Sequence, residues 1–562
     1  MTHAVRRVFS REVGEEDGGG GCATVEAGDG GGATDDGRAA TVGRSVGRSM
    51  WASPARTSRG IERTGRRRGG CRRTSSTTSS MTRGTTRRDA AMAGDRGLVR
   101  EDGDGDGDGA VDARSRALAV ETVAYAVESG LMIGGDVAGT FTHAPVSCGP
   151  TPFPRDAYEL ARETSPGFAE LYDRVSRDDE FLRETLRGAI KNDDFTAALW
   201  RVYEESGGQE GRVGAEVGVL RSDYMLDAPS GLPLQVEVNT VSTSFMALGS
   251  KVSDMHRHLA KWSANNDEVP DLSAIPENDA LACAGDTLAA GWKVMGSKGK
   301  IMMVVQPQER NMFDQRHIAQ YMFERYGVHS VRATLAEVNA EGALRDGTLT
   351  FRGDDIGLVY FRAGYTPTDY PTQGEWDARL LIEKSDALKS PSVAMHLAGS
   401  KKIQQKLAEA GVLEKFMPEK AADMRRVFAG LYSLDGDEGT EAVKLGLANP
   451  AGYVLKPQRE GGGNNLYSEE LRERLEQGGD LGAFILMQRI LPPSHQTLTV
   501  RAGKVLEIET LSELGIFGSY LRVGDEIVMN KHGGHLLRTK AASSDEGGVA
   551  AGYAVLDSPL LV

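Results

Sequence analysis

Cysteine is scarce in this chain of 562 residues, and the four that occur have no paired spacing. The scattering of Cys22, Cys71, Cys148 and Cys283 argues against both a zinc knuckle and a disulfide framework. Long apolar runs are also missing. The most apolar short stretches, such as residues 300–305, are far shorter than the ~20 residues that a membrane helix requires. The sequence therefore predicts a reducing compartment and no membrane partner.

Positive charge is in deficit, with a net charge of −14, but it is unevenly distributed. Residues 1–92 carry 17 arginines against ten acidic residues, so the remaining chain has a net charge of −21. Phosphate contacts with nucleic acid need a positive surface. We therefore expect no general nucleic-acid binding by the folded part.

Residues 1–112 are rich in Gly, Arg, Ser and Thr and have almost no periodic apolar residues, which predicts disorder. Within them, residues 51–88 contain a single acid, Glu62, and resemble an organellar transit segment. A non-functional extension, or a true start at Met81 or Met92, is the alternative. The Asp/Gly run at 102–109 lacks the glutamate that a calcium loop needs at its twelfth position, so we interpret it as an acidic linker.

Order is expected from Arg114, where amphipathic helical stretches begin. Helices are predicted in 118–127 and between 156 and 190. Short apolar strands follow at 234–238, 301–305, 358–361, 453–455, 484–487 and 505–508. Strands interleaved with helices indicate an α/β fold, and the last 110 residues have a strand-rich, antiparallel pattern.

The most informative segment is Lys456-Pro-Gln-Arg-Glu-Gly-Gly-Gly-Asn-Asn-Leu-Tyr467, which follows an apolar strand. Three glycines let backbone N–H groups approach phosphate oxygens, Lys456 supplies positive charge, and Glu460 can bind magnesium. The pattern is neither a Walker loop nor a dinucleotide fingerprint. It predicts a phosphate site, with a plain glycine-rich turn as the alternative.

Two further polar clusters contain residues suited to binding a metal ion or a substrate. Glu237 and Asn239 are two apart on a strand and therefore face the same side, as the oxygen ligands of a hard cation would. Arg221 and the hydroxyls of 242–244 suit a carboxylate substrate. Downstream, the basic pair Arg538 and Lys540 leads into a small-residue loop at 547–552 that can close over a ligand.

The two histidines of the segment Lys531-His-Gly-Gly-His535 have no acidic or thiol partner at a suitable spacing. We therefore predict polar packing for His532 and His535 in preference to a metal site.

Eight segments resemble eukaryotic glutathione synthetases in order and spacing across residues 113–562. They are Arg221–Met225, Glu237–Thr240, Glu309–Gln315, Tyr360–Tyr365, Leu397–Lys402, Lys456–Tyr467, Ser512–Gly518 and Asn530–Asp557. The resemblance implies an ATP-grasp fold of α/β (α+β) class, with ATP clasped between antiparallel sheets, and usually a homodimer. It implies core parts at 113–300 and 403–562, an inserted α/β substrate domain at 301–402, and a disordered extension at 1–112.

The resemblance also assigns site residues. Glu237, Asn239 and Glu460 would bind two magnesium ions, and Arg538, Lys456 and Lys401 would be catalytic. ATP would contact Met225, Glu237, Lys401, Lys456, Pro457, Gln458, Arg459, Glu460, Gly461, Gly462, Gly463, Asn464, Asn465, Tyr467, Met487, Gln488, Arg489, Ile490, Glu513, Lys540 and Glu546. γ-Glutamylcysteine would contact Arg221, Val241, Ser242, Thr243, Ser244, Glu309, Arg310, Asn311, Gln315, Arg362, Ala363, Gly364, Tyr365, Arg538, Val549 and Ala550.

The implied activity is ATP-dependent ligation of γ-glutamylcysteine and glycine through an acyl phosphate. Small residues at 549–551 favour glycine over β-alanine. The chain departs from the family pattern at Gln488 and Arg489, where relatives more often have Glu and Lys, at Ala363, where Asp is common, and at Glu546, where Asp is frequent.

Three rival functions remain: a related ligase for another dipeptide, a silent nucleotide-binding regulator, and a nucleic-acid binder acting through the Arg-rich tail. A silent regulator is expected to lack a phosphate or metal ligand, yet Glu237, Asn239, Glu460 and Lys456 are all present. The expected location is the cytoplasm, or a plastid or mitochondrion if the N-terminal segment is a transit peptide.

Overall fold

The computed structural model describes residues 112–135, 137, 139–212, 214–264, 271–459, 463–545, 547–549 and 552–562. All of them lie in one compact unit, Asp108–Val562. The predictions for residues 1–111, including the transit segment, the acidic linker and the disorder, lie outside the described residues. Cys148 and Cys283 are free and buried, whereas Cys22 and Cys71 are not described.

Helices begin close to where the apolar periodicity begins. Asp112 caps the first helix by accepting a hydrogen bond from the backbone of Ser115, and Gly130 ends it in the left-handed conformation, with φ of 75°. The helices are α1 Ala113–Ser129, α2 Arg155–Ser176, α3 Asp179–Asn192, α4 Asp194–Glu205, α5 Met246–Ser263, α6 Ala280–Val294, α7 Met312–Tyr326, α8 Leu335–Glu341, α9 Gln373–Glu383, α10 Val393–Ala398, α11 Lys401–Ala408, α12 Val412–Phe416, α13 Ala421–Arg425, α14 Gly436–Ala448 and α15 Ser468–Glu476. Short 3₁₀ helices cover Leu272–Ala274, Pro367–Asp369 and Pro450–Gly452.

Each of the six strands predicted from the sequence is present. The strands are β1 Met132–Gly134, β2 Phe141–His143, β3 Val146–Ser147, β4 Thr151–Phe153, β5 Ala215–Asp227, β6 Leu232–Asn239, β7 Lys300–Val304, β8 Ser330–Ala333, β9 Gly342–Arg345, β10 Thr348–Phe351, β11 Asp354–Phe361, β12 Leu388–Ser390, β13 Leu431–Ser433, β14 Tyr453–Pro457, β15 Leu466–Tyr467, β16 Phe484–Gln488, β17 His495–Arg501, β18 Lys504–Val523, β19 Glu526–Ala541, β20 Ala554–Asp557 and β21 Pro559–Leu561. The α/β class and the antiparallel C-terminal part are confirmed.

Three sheets organise the described residues. A seven-stranded sheet has the order β17-β3-β20-β19-β18-β5-β6. A four-stranded antiparallel sheet has the order β13-β16-β14-β15. A six-stranded mixed sheet has the path β8-β7-β11-β10-β9, with β12 paired to β11. Small two-stranded sheets pair β1 with β2 and β4 with β21.

Apart from Lys300, the six-stranded sheet lies inside the range 301–402 predicted for the substrate domain. Its parallel strands β7 and β11 contain the apolar runs at 301–304 and 358–361, whose side chains are all buried. The seven-stranded sheet joins β5 and β6 from the first predicted part to β17–β20 from the last. The exact boundaries at 300 and 402 stay predictions.

Polar packing is what the structure shows for His535. The Tyr158 hydroxyl lies 3.1 Å from Nδ1, and the Ser253 hydroxyl lies 3.3 Å from Nε2. Burial lowers the pKa of His535 to about 3. Among the described residues, no cluster of three His, Cys, Asp or Glu side chains could bind a metal, and no helix is long and apolar enough to cross a bilayer.

Candidate active site

A cavity of about 450 Å³ is lined by residues of the seven-stranded and the four-stranded sheets. One wall comes from β5, β6, β18 and β19, and the other from β14, β15 and β16. Lys401, the first residue of α11, and the loop after β19 complete it. The strands that line this cavity pair antiparallel within each of the two sheets, which matches the arrangement expected for an ATP-grasp fold.

Twenty-two of the predicted site residues line this cavity, although they come from distant parts of the chain. They are Arg221, Met225, Glu237, Asn239, Val241, Ser242, Ser244, Tyr365, Lys401, Lys456, Arg459, Asn464, Asn465, Tyr467, Met487, Gln488, Arg489, Ile490, Glu513, Arg538, Lys540 and Val549. Glu460, Gly461, Gly462, Glu546 and Ala550 lie outside the described residues. Arg459 and Asn464, which flank 460–462, share the cavity with Glu237.

Cations surround the Glu237 carboxylate. Lys401 Nζ lies 3.3 Å from Glu237 Oε2, and Lys456 Nζ donates to the backbone carbonyl of Val236 at 3.1 Å. Burial would raise the pKa of Glu237, but the charges of Lys401 and Lys456, and then Arg538, outweigh it and lower the pKa to about 2. Glu237 is therefore an anion at neutral pH, beside lysines that can bind phosphate.

The buried carboxylate of Asp223 joins three predicted site residues. It accepts two hydrogen bonds from Arg221, at 2.6 and 2.8 Å, one from the Asn239 amide nitrogen at 2.9 Å, and one from Arg538 at 2.9 Å. Because the Asn239 nitrogen donates to Asp223, its amide oxygen remains as the group that can bind a cation. Asp223 thus orients a guanidinium from β5, an amide from β6 and a guanidinium from β19.

One region of the cavity wall is apolar. Met225 and Val236 pack against a small core cluster that includes Met487 and Ile490, and all four side chains line the cavity. Nearby, Arg489 lies over the ring of Tyr467 at 5.8 Å and pairs with Asp545 at 2.9 Å. Apolar walls with a few polar groups suit a planar base.

A second polar group lies outside the cavity lining, in the loop after β7, the start of α7 and the residue after β11. Arg362 pairs with Asp314 at 2.9 Å, and Gln315 donates to Glu309 at 2.6 Å. Within the described part of the chain, Asn311 Oδ1, Gln315 Oε1 and Arg362 Nε are buried and have no hydrogen-bond partner. Unpaired buried polar atoms are costly, so this cluster is suited to a polar ligand group.

Backbone geometry between β6 and α5 also serves the site. Ser242 and Phe245 have positive φ angles of 52° and 66°, which are unusual for residues with side chains. Asp314 stabilises the turn by accepting from the backbone N–H groups of Phe245 at 3.0 Å and Ala247 at 2.8 Å. The turn brings the Ser242 and Ser244 side chains to the cavity wall.

Eleven described candidates do not line the cavity: Pro457, Gln458, Gly463, Thr243, Glu309, Arg310, Asn311, Gln315, Arg362, Ala363 and Gly364. Two have evident structural partners. Gln458 is buried between the backbone N–H of Lys402 and the carbonyl of Ala483, and the Thr243 hydroxyl donates to the carbonyl of Val219. A ligand-binding role for these eleven stays a prediction.

Four aspartates near the site were not predicted: Asp223, Asp314, Asp369 and Asp545. Asp369 accepts from the backbone N–H groups of Gly364 and Tyr365. A local signal existed for Asp223, because it lies two residues after Arg221 on one strand and therefore faces the same side. Asp314 sits inside the segment Glu309–Gln315 but accepts from backbone groups 67 and 69 residues away, which no local pattern reveals.

Comparisons with known proteins identify the family of this chain. Residues 112–561 match the family model described as "Eukaryotic glutathione synthase, ATP binding domain". The chain is 45% identical over 462 residues to the chloroplastic glutathione synthetase of Solanum lycopersicum, covering 79% of this chain and 84% of the relative. It is 41% identical over 431 residues to the glutathione synthetase of Homo sapiens, covering 74% and 90%.

One solved structure supports the fold. The apo form of a glutathione synthetase-like effector from Globodera pallida superposes with a TM-score of 0.64 at 22% identity, covering 79% of this chain and 96% of the effector. The sequence match covers nearly all of the described unit, including both sheets that line the cavity. The chain therefore belongs to the eukaryotic glutathione synthase family.

Proposed function

We propose that this protein is an ATP-dependent ligase that joins γ-glutamylcysteine to glycine, giving glutathione, ADP and phosphate. The observation that carries the proposal is the convergence of Glu237, Asn239, Lys401, Lys456 and Arg538 on one cavity, in a chain of this family. Family membership supports the reaction, and the lining of the cavity supports the assignment of roles to these residues.

The reaction needs no protein nucleophile. The cysteinyl carboxylate of γ-glutamylcysteine attacks the γ-phosphorus of ATP, ADP leaves, and an acyl phosphate forms. The glycine amine then attacks the acyl carbon, and phosphate departs with the former carboxylate oxygen. Catalysis therefore consists of alignment and charge neutralisation.

We assign these tasks to three kinds of residue. Lys401, Lys456 and Lys540 neutralise the phosphates of ATP. Arg538 and Arg221, which Asp223 positions, stabilise negative charge at the cysteinyl carboxylate of γ-glutamylcysteine. The apolar wall at Met225, Met487 and Ile490 packs against the base. The unpaired polar atoms of Asn311, Gln315 and Arg362 are our candidates for binding the γ-glutamyl group.

The residues present fit a magnesium ion. The ionised Glu237 carboxylate and the Asn239 amide oxygen are hard oxygen ligands of the kind magnesium prefers. They would hold the metal together with Glu460. When bound, magnesium supplies charge neutralisation at the transferring phosphoryl group.

Product analysis tests the proposal. The purified chain is incubated with ATP, magnesium, γ-glutamylcysteine and equal glycine and β-alanine, and the peptides are identified by mass spectrometry. We expect glutathione as the main product with minor β-alanine leakage, because one methylene is worth only about 1–3 kcal/mol. Chelating the metal should abolish the product, and adding magnesium should restore it. Absence of either peptide would contradict the proposal, and a β-alanine preference would overturn the acceptor assignment.

We also propose a homodimer. The edge strand β2 carries Phe141, whose side chain is 52% exposed and packs edge-on against Phe313 at 5.2 Å. Exposed strand edges with apolar side chains are sites of association. Sedimentation equilibrium at micromolar concentration should give twice the chain mass, and a monomer mass would refute the dimer.

We also propose that residues 51–88 are a plastid transit peptide. Two plant relatives that are chloroplastic by name support this proposal. Mass spectrometry of the mature N-terminus should find a start beyond residue 88. An intact Met1 would contradict this assignment.

A further inference from the structure

Gln488 ends β16 and lines the cavity beside the apolar wall of Met487 and Ile490. Its side chain is hydrogen-bonded to the backbone of Gly430, the residue before β13. The oxygen Oε1 accepts from the backbone N–H of Gly430 at 3.0 Å, and the backbone N–H of Gln488 donates to the Gly430 carbonyl at 2.8 Å. A Cβ at Gly430 would lie 3.2 Å from Oε1, so the glycine makes this close approach possible.

This contact fixes which end of the amide remains available. A backbone N–H must donate to an acceptor, so Oε1 faces Gly430 and the Nε2 amino group is the remaining polar group. Among the residues that the structure describes, Nε2 has no hydrogen-bond partner, and the side chain is only partly buried. The cavity wall therefore presents a hydrogen-bond donor next to its apolar surface.

We infer that the Gln488 amino group donates a hydrogen bond to the edge of the nucleotide base. Because a 6-oxo group can accept this bond, the protein then discriminates less strongly against 6-oxo purines. This inference rests on the proposed function, because it requires a purine triphosphate in the cavity. Adenine carries an amino donor at position 6, whereas hypoxanthine and guanine carry a carbonyl acceptor there. A donor from the protein pairs with the 6-oxo group, or with a ring nitrogen of adenine.

Glutamate at the same position would favour adenine over a 6-oxo purine and would keep the hydrogen bond from the Gly430 N–H. One carboxylate oxygen could still accept from the Gly430 N–H, and the other would present an acceptor to the base. That acceptor pairs with the adenine amino group and faces the 6-oxo carbonyl with no proton between them. The donor-to-acceptor change is therefore isolated at one side-chain atom.

The test measures kcat/KM for ATP and for inosine triphosphate, with γ-glutamylcysteine and glycine saturating. The variants are the wild type, Gln488→Glu, Gln488→Met and the control Gln477→Glu. Gln477 is an exposed residue after α15, so its substitution matches the charge change away from the cavity. Because both nucleotides carry the same triphosphate, the ATP/ITP ratio cancels any effect of the new charge on phosphate binding.

We expect Gln488→Glu to raise the ATP/ITP ratio about tenfold, the effect of one mispaired hydrogen bond. Gln488→Met should fall between it and the wild type, and Gln477→Glu should match the wild type. An unchanged ratio in Gln488→Glu, with glutathione still formed from ATP, would overturn the inference and leave the proposed function standing. If the wild type forms glutathione from neither nucleotide, the proposed function and this inference fall together.

Discussion

The Asp223 carboxylate positions side chains from three strands at the cavity. It is fully buried, and its two oxygens hold Arg221, Asn239 and Arg538, which come from three strands. Two of these partners are cations that the proposed reaction uses. Asp223 itself lies outside the cavity wall, so we assign it a positioning role.

We predict that Asp223→Asn lowers kcat about 100-fold, because misplacing the guanidinium of Arg538 by ~1 Å disrupts alignment of the reacting groups. The free energy of unfolding should fall by about 3–5 kcal/mol, since the buried Arg221 and the partly buried Arg538 lose a counter-charge. Steady-state kinetics and denaturant unfolding measure both effects. Asp525→Asn, at a fully exposed aspartate, is the matched control and should resemble the wild type. Normal turnover in Asp223→Asn would show that the carboxylate does not position Arg538.

At the residue scale, sequence reasoning located groups with an evident chemical signature. Lys456, Glu237 and Asn239 line one cavity, and their roles in phosphate and metal binding stay predictions. Two of the supporting aspartates, Asp314 and Asp545, were missed because their partners are distant in sequence. Asp314 is the clearest case, since it caps a turn near residue 245 and pairs with Arg362.

The elements follow local patterns, whereas their pairing does not. Apolar runs identified β6, β7, β11, β14, β16 and β18, and the periodicity placed α1 to within a few residues. The pairing of β5 with β18 joins residues about 300 positions apart. Such pairing is decided by the whole core and leaves no trace in a window of ten residues.

The packing of α2 and α5 on β19 predicts a pH dependence of stability. His535 is buried between these elements and its pKa falls to about 3, against an ordinary value of 6.5. Below pH 6.5 the unfolded chain binds a proton that the folded chain accepts only near pH 3. Stability is therefore lost as pH falls through this window, by up to about 1.4 kcal/mol per pH unit.

We expect His535→Gln to flatten the fall in the urea unfolding midpoint between pH 6.5 and 5. His329→Gln, at an exposed histidine, is the control and should keep the wild-type slope. His396, also buried with a pKa of about 3, retains its own contribution in both variants. Identical slopes in the wild type and His535→Gln would contradict a neutral buried His535.

At the largest scale, the described residues bring a mostly antiparallel sheet and a fully antiparallel sheet together around one cavity, while two strands of a third sheet lead into the polar cluster of Arg362 and Asp314. This arrangement explains why residues from 221 to 549 line one cavity. The sequence predicted the fold class and the family through long motifs. It could not show which predicted residues serve packing, as Gln458 and Thr243 do, because that depends on neighbours from other elements.

In the proposed reaction, a phosphoryl group is transferred in this cavity to the carboxylate of γ-glutamylcysteine before glycine attacks. The most direct measurement uses γ-glutamylcysteine labelled with ¹⁸O in both oxygens of the cysteinyl carboxylate, with ATP and glycine, and mass analysis of the phosphate released. We predict one ¹⁸O atom in each phosphate and one retained in the peptide bond of each glutathione. Glutathione formed with unlabelled phosphate would contradict the account.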